Sequence, residues 1–145
     1  MDELERNILN ILQENSRLSF RKIAEKIGTT AATVSSRVED LEKKGIIKKY
    51  TVLLDYDQLN KITLLLTIDT DLSVIDDVVA RLSELKEVCC VLRVTGDFDL
   101  VVLVRCDSRR DAGLLLHTIH DIEGVRDIAS QVVLETIKET LCVEV

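Results

Sequence analysis

Several features are missing from this 145-residue chain, and each absence narrows its class. It has no Pro, no C-x-x-C pair among its four Cys, and no apolar run near the roughly 18 residues of a membrane-spanning helix. The charged amino terminus already begins a helical pattern and predicts no signal peptide. We therefore expect a cytoplasmic protein with reduced, buried thiols and without a membrane span, metal site or cofactor. Nucleophile–base pairs for hydrolytic chemistry are not recognisable either, so we expect no enzyme.

Charge divides the chain into two parts. Residues 1–61 hold 11 basic and 10 acidic residues, whereas residues 62–145 hold 8 and 16. The polar, turn-like segment DYDQLNK at 55–61 lies between them, and without Pro nothing stiffens it. We predict two domains, 1–54 and 62–145, joined by a linker at 55–61. The acidic second domain would repel nucleic acid and needs another role.

The stretch from residue 19 to residue 45 predicts two short helices joined by a tight turn. Ser19 is positioned to cap the first helix, and Gly28 is the natural stop, because a left-handed residue is least costly for Gly. Thr29 or Thr30 would cap the second helix. Both helices carry apolar residues at helical spacing, which places them on inward faces: Leu18, Ile23, Ala24 and Ile27, then Val34, Val38 and Leu41.

The outward face of the second helix carries side chains short enough to enter the major groove of DNA. Hydroxyls can contact base edges, and a methyl group can contact thymine. Residues 16–38 hold five basic residues and one acidic residue, in a chain of net charge −7. We predict these DNA contacts: Arg17, Arg21, Lys22, Thr29, Thr30, Ala32, Thr33, Ser35, Ser36 and Arg37. The alternative is a plain helical hairpin with a solvated polar face.

An upstream helix would complete a helix-turn-helix domain. Its apolar stripe is Leu4, Ile8, Ile11 and Leu12, and Asp2 with Glu5 has the spacing of a capping box. After the third helix, the strand-forming residues of 46–54 predict an extended segment that leaves the domain.

The second half predicts the order βαββαβ. Strands are expected at 62–70, 88–95, 98–106 and 125–137, with a short edge strand at 141–145. Ser73 with Asp76 and Ser108 with Asp111 have the spacing of helix caps, and Gly96–Asp97 reads as a tight hairpin turn.

This order predicts an α+β, ferredoxin-like domain, in which a four-stranded antiparallel sheet carries two helices on one face. Apolar residues alternate toward both faces, as in Leu64, Leu66 and Ile68 and in Val101 and Leu103. An uncovered apolar face is an association surface. We therefore expect a dimer built sheet to sheet, whose two reading helices match a palindromic site on double-stranded DNA.

With these residues in place, the chain resembles the Lrp/AsnC (leucine-responsive, feast/famine) transcriptional regulators over essentially its whole length. The N-terminal residues that carry the resemblance include Asn15-Ser16-Arg17, Ile23-Ala24…Gly28, Thr33 to Val38 and Gly45-Ile46-Ile47. In the second half they are Val94-Thr95-Gly96-Asp97-Phe98-Asp99 and Ile122-Glu123-Gly124-Val125.

The resemblance implies a DNA-binding regulator that dimerises through the βαββαβ domain and often forms tetramers or octamers. It also implies an amino-acid effector bound between dimers, near Gly96, Asp97, Phe98 and Asp99 and the strand after Gly124. That strand often carries two hydroxyl residues at alternate positions. Here Ile128 occupies one of them, which leaves Ser130 as the hydroxyl contact.

Two other functions stay open from the residues alone. Decarboxylases of haem biosynthesis share this fold, and their anionic tetrapyrrole would need basic and His side chains: here only Arg109, Arg110, His117 and His120. The two His residues are spaced as either a metal pair or a solvated surface pair. The other function is an oligomerising adaptor that does not bind DNA.

Overall fold

A computed structural model describes residues 1–140 and 143–145 and shows two compact units. One comprises Met1–Leu53 with Lys138–Val145, and the other comprises Leu54–Ile137. The predicted edge strand at 141–145 includes residues 141 and 142, which lie outside the described residues, as does the Cys142 thiol.

Three helices form the first unit: α1 (Glu3–Glu14), α2 (Phe20–Ile27) and α3 (Ala31–Lys43). Their apolar stripes meet in one core of buried side chains: Ile8, Leu12, Ile23, Ala24, Val34 and Val38. Leu18 and Ile47 pack against the edge of this core. The predicted inward faces are therefore confirmed.

The predicted capping box of α1 is present. The Glu5 N–H donates to Asp2 Oδ1 at 2.8 Å, and the Asp2 N–H donates to Glu5 Oε2 at 3.0 Å. Each side chain thus satisfies a backbone donor that the first turn of a helix leaves free.

The turn between α2 and α3 also follows the sequence. Ser19 accepts a hydrogen bond from the Lys22 N–H, and Gly28 closes α2 in the left-handed region at φ +70°. The cap of α3 is Thr30, whose Oγ1 accepts from the Thr33 N–H at 3.1 Å. The geometry thereby selects Thr30 over the neighbouring Thr29.

The segment after α3 departs from a regular strand. Residues 48–55 have no assigned secondary structure, and the side chains of Val52 and Leu53 are 72% and 58% exposed. Branched residues favour extended backbone, but a strand also needs a partner for its hydrogen bonds.

The second unit has the predicted order of elements. These are β1 (Ile62–Thr70), α4 (Ile75–Glu84), β2 (Val88–Arg93), β3 (Leu100–Cys106), α5 (Arg109–His120) and β4 (Val125–Val132). The strands form one antiparallel sheet in the order β2-β3-β1-β4. The α+β class with a ferredoxin-like second domain is confirmed, although β4 ends at Val132 rather than near residue 137.

The two faces of this sheet differ. The covered face packs against α4 and α5, and its buried strand residues are Leu64, Leu66, Ile68, Leu100, Val102 and Val104. The opposite face, here called the open face, carries Thr63, Leu65 and Thr67 of β1 beside Val101 and Leu103 of β3. These five residues are only half-buried in the single chain.

The predicted cap of α4 is wrong. Ser73 donates its hydroxyl to Asp71 Oδ1 at 2.7 Å, and its N–H donates to the same oxygen at 2.9 Å. The N-cap is Val74, which makes no side-chain cap bond. Asp71, two residues earlier, therefore engages the hydroxyl that the capping box requires. Ser108 does cap α5, accepting from the Asp111 N–H at 3.1 Å.

The predicted two-residue turn at Gly96–Asp97 is also wrong. Strand β2 ends at Arg93 and β3 begins at Leu100, so the connection is the six-residue loop 94–99. The Val94 N–H donates to the Asp99 carbonyl at 3.0 Å and closes this loop.

Burial of the thiols was predicted correctly at one of the three described Cys residues. Cys106 is buried in the covered-face core, whereas Cys89 and Cys90 are exposed on β2 in the single chain. An apolar run does not show whether its strand lies at an edge, and β2 lies at one.

Candidate nucleic-acid interface and ligand-binding domain

The amino-terminal half of α3 presents small side chains around the Thr30 cap. The Thr30 and Thr33 hydroxyls are 2.8 Å apart, so the cap also orients Thr33. Ala32 and Ser36 are exposed, and Ser35 donates to Glu39 Oε1 at 3.4 Å. The Ser36 hydroxyl makes no hydrogen bond with any of the described residues. Ser36 is therefore the hydroxyl on this face with its bonding capacity open.

Cations surround α2 and the turn that precedes it. Arg17, Arg21 and Lys22 are all exposed, and Arg21 lies 3.6 Å from Glu25 in an exposed pair one helical turn apart. Such a pair is weak in water. The geometry therefore leaves these cations available to an anion, and Thr29 lies between them and α3 in the turn.

Arg37 occupies a different environment, which sequence reasoning missed. Its Nη2 lies 3.2 Å from Asp2 Oδ2, and its Nη1 lies 3.5 Å from Glu5 Oε1. Lys44 Nζ approaches the same Glu5 oxygen at 3.7 Å. The capping box predicted carboxylates at the start of α1, but only the packing of α1 against α3 brings residues 5 and 37 together.

The carboxyl-terminal half of α3 is acidic and engages the segment that follows. The Tyr50 hydroxyl donates to Glu42 Oε1 at 2.8 Å. Partial burial, the hydrogen bond to Glu42 and the charge of Glu42 raise the pKa of Tyr50 to about 12. The hydroxyl thus stays protonated and holds its bond to Glu42.

In the second unit, Asp99 is held by the end of β1. Its Oδ2 accepts from the Thr70 N–H at 2.8 Å and from Thr70 Oγ1 at 3.1 Å. The Thr70 amide is the main reason that the pKa of Asp99 is lowered. Asp99 therefore shapes loop 94–99, while Gly96 and Asp97 are exposed within it.

Ser130 lies elsewhere in the sheet. It is on β4, opposite Leu66, and strand β1 separates β4 from β3 and its loop. Within one chain, Ser130 and loop 94–99 therefore do not belong to neighbouring strands.

A groove of about 330 Å³ surrounds Ser130. The groove lies between α5 and β4 and is lined by Gly113, Leu116, His117, His120, Ile128 and Ser130. No cluster of three or more His, Cys, Asp or Glu side chains that could hold a metal is found in 1–140 and 143–145. The helical periodicity of the sequence predicted that both His residues lie on α5. It did not predict that β4 packs beside them.

Comparison with known proteins decides the class. The winged helix-turn-helix DNA-binding family matches residues 1–48, and the Lrp/AsnC ligand binding domain matches residues 63–142. The chain belongs to the Lrp/AsnC family. An uncharacterized HTH-type transcriptional regulator of Pyrococcus furiosus is 34% identical over 145 residues, covering 99% of this chain and 98% of the relative.

Solved structures of regulatory proteins match over nearly the full length. The leucine response regulatory protein LrpA of Mycobacterium tuberculosis has a TM-score of 0.90 at 27% identity, covering 99% of both chains. A transcriptional regulator of Neisseria meningitidis in complex with L-Met has a TM-score of 0.86 at 26% identity, covering 97% of this chain and 94% of that one.

The protein is therefore a transcriptional regulator of the Lrp/AsnC family, with a helix-turn-helix DNA-binding domain followed by a ligand-binding domain. Across residues 1–140 and 143–145, every helix is too short or too polar to cross a bilayer.

Proposed function

We propose that this regulator recognises its operator through one surface of α2, the turn and α3. Short side chains of α3 read base edges, and cations of α2 and the preceding turn contact phosphates. The proposed surface consists of Arg17, Arg21, Lys22, Thr29, Thr30, Ala32, Thr33, Ser35, Ser36 and Arg37. We also propose domain limits of 1–54 and 62–145 with a linker at 55–61.

One observation carries this proposal. The exposed hydroxyl of Ser36 and the methyl of Ala32 lie on the amino-terminal half of α3, on the helix that follows the cationic α2. Recognition helices contact bases with their amino-terminal residues. The acidic residues Glu39, Asp40 and Glu42 are confined to the other half, where they would be kept away from the phosphates.

Affinity measured against salt concentration tests both roles. Lys22→Ala should remove one phosphate contact and lower the salt slope by about one. Ser36→Ala should keep the slope and change the sequence preference by about 1–3 kcal/mol. A library of duplexes selected by the wild-type protein supplies the comparison. If Ser36→Ala leaves the preference across that library unchanged, the recognition face has been assigned wrongly.

We propose further that a second copy covers the open face. Leu65, Val101 and Leu103 leave an apolar centre half-exposed in the single chain, and burial of such a surface drives association. A two-fold dimer would pair two α3 helices with a palindromic operator. Dimers would associate further into tetramers or octamers.

For the ligand-binding domain we propose an amino-acid effector at a junction between dimers. Gly96, Asp97, Phe98 and Asp99 come from one protomer, and Ser130 comes from another. The separation of loop 94–99 from Ser130 by β1 supports a shared site. The L-Met complex of the Neisseria regulator supports the ligand class. Charge-assisted hydrogen bonds from an α-ammonium to Asp97 would be the strong contact.

Calorimetry with the twenty amino acids tests the effector site. Asp97→Ala is the suitable variant, because Asp97 is exposed, whereas Asp99 holds Thr70 and its loss would alter the loop. Binding at or below millimolar concentration that is lost in Asp97→Ala supports the site. Binding that survives this change moves the site elsewhere.

We also propose that the protein works in the cytoplasm as a regulator and not as an enzyme. The regulator names of its relatives support this. An absorbance spectrum of the purified protein separates it from a tetrapyrrole decarboxylase, since a coloured preparation would favour the decarboxylase.

A further inference from the structure

The start of α1 holds a buried carboxylate, that of Glu5, beside two cationic side chains. The Glu5 side chain is only 6% exposed, although Glu is almost never fully buried unless it is paired. Its Oε2 accepts from the Asp2 N–H, and its Oε1 faces Arg37 and Lys44. Glu5 is therefore the centre of a charged cluster that joins α1 to α3.

Arg37 spans two carboxylates of this cluster. One terminal nitrogen reaches Asp2 at 3.2 Å and the other reaches Glu5 at 3.5 Å, while the Arg37 side chain is 38% exposed. A guanidinium suits this geometry, because its donors form a rigid planar fork. Arg37 lies one residue after Ser36 and one before the buried Val38, so its contacts with α1 are made directly beside the proposed reading residue.

We propose that Asp2 and Glu5 orient the reading face of α3 through Arg37, which acts as a positioning residue and not as a phosphate contact. This inference rests on the proposed DNA surface and assigns one of its members a distinct role. Arg37 is held between two carboxylates, one of which Lys44 and the amino-terminal ammonium of Met1 also approach, whereas exposed Lys22 has no carboxylate partner among the described residues. Removing Arg37 should therefore affect geometry more than phosphate neutralisation.

Salt dependence separates the two roles. Each phosphate contact contributes about one to the slope of log affinity against log salt concentration, whereas a positioning residue contributes none. The probes are a duplex selected by the wild-type protein and a mixed-sequence duplex of equal length. Arg37→Ala and Glu5→Gln should each weaken binding to the selected duplex about tenfold or more and leave the salt slope unchanged. Binding to the mixed duplex should change by less than about threefold.

A double variant tests whether Glu5 and Arg37 act together. If Glu5 acts through Arg37, the combination of Glu5→Gln and Arg37→Ala should reduce selectivity no further than either change alone. Arg37→Lys keeps the charge but cannot span both carboxylates, so it should behave like Glu5→Gln. If Glu5→Gln destabilises the domain, Arg37→Lys replaces it as the test variant. Arg6→Ala, at an exposed α1 position beside Glu5, should bind like wild type.

The outcomes are distinct. A salt slope lowered by about one in Arg37→Ala, together with wild-type selectivity in Glu5→Gln and Arg37→Lys, would overturn the positioning role and make Arg37 a phosphate contact. Lys22→Ala, which should lower the slope, shows that the measurement resolves one contact. If selection with the wild-type protein recovers no preferred duplex, it is the proposed DNA surface that fails.

Discussion

The two domains differ in how much of their proposed site one chain supplies. In the first, the reading residues lie on α2, the turn and α3, and local caps and one core hold them. In the second, loop 94–99 and Ser130 lie on opposite sides of β1. The contrast teaches that one chain supplies the whole of the proposed half-site reader, whereas the proposed effector site needs residues of a second protomer.

The largest effects are expected from an Asp placed in the sheet of the second domain, where the two faces should respond differently. Leu66 is fully buried on the covered face, so Leu66→Asp should unfold the second domain at a cost of roughly 4–5 kcal/mol or more. Leu103→Asp, on the open face, should leave the domain folded but dissociate the proposed dimer. Leu66 is therefore unsuitable as a test of assembly. Urea unfolding and light scattering separate the two effects, and a Leu103→Asp protein of unchanged mass would exclude the open face as the interface.

A glycine beside α4 tests how tightly the second domain is packed. Gly124 has φ +95°, and a Cβ there would lie 2.4 Å from Val74 Cγ2. Gly124→Ala should lower the free energy of unfolding by about 1–3 kcal/mol through the clash and the left-handed backbone. Adding Val74→Ala should restore the part of the stability that is lost to the clash, but not the part that is lost to the left-handed backbone. Equal stability of Gly124→Ala and wild type in urea would contradict this close approach.

The cap of α3 is the matching test in the first domain. Thr30→Ala should cost about 1 kcal/mol, because the Thr33 amide loses its acceptor. It should also weaken selective DNA binding, since the Thr33 hydroxyl loses its 2.8 Å neighbour. Thr30→Ser restores the acceptor and is the control. Thermal unfolding measures the first effect, and unchanged stability would mean that another group caps the helix.

The smallest effect is expected from the pH dependence of stability that Asp99 contributes in loop 94–99. The pKa of Asp99 is lower when it bonds the Thr70 amide than in the unfolded chain, so this stabilisation is complete above the unfolded pKa of about 4. It is lost as pH falls through the lower folded pKa. Asp99→Asn should therefore flatten the decline in stability as the pH falls below about 5. Thr70→Ser retains both donors and should keep the decline, and an Asn variant that declines like wild type would show that Asp99 contributes none of it.

Local chemistry made much of this structure predictable. Asp2 with Glu5, Ser19, Gly28 and Ser108 each act on backbone groups within four residues, so their roles follow from spacing. The same locality explains the failure at Ser73, where Asp71 was an equally near competitor. The order of elements followed from hydrophobic periodicity. Periodicity did not show which of the two alternating sets faces the helices, and Leu66, grouped with Leu103 as a residue of the association face, is in fact buried under them.

The sequence by itself determined the helices, the strands, the hydroxyl-bearing face of α3 and the family resemblance. These depend on residues that are close along the chain or repeat with a regular period. Only the tertiary structure decided that Glu5 meets Arg37, that Thr70 holds Asp99 and that β1 separates Ser130 from loop 94–99. Such pairs join residues about 30 or more positions apart, and their proximity is set by how whole elements pack rather than by any local preference of their residues.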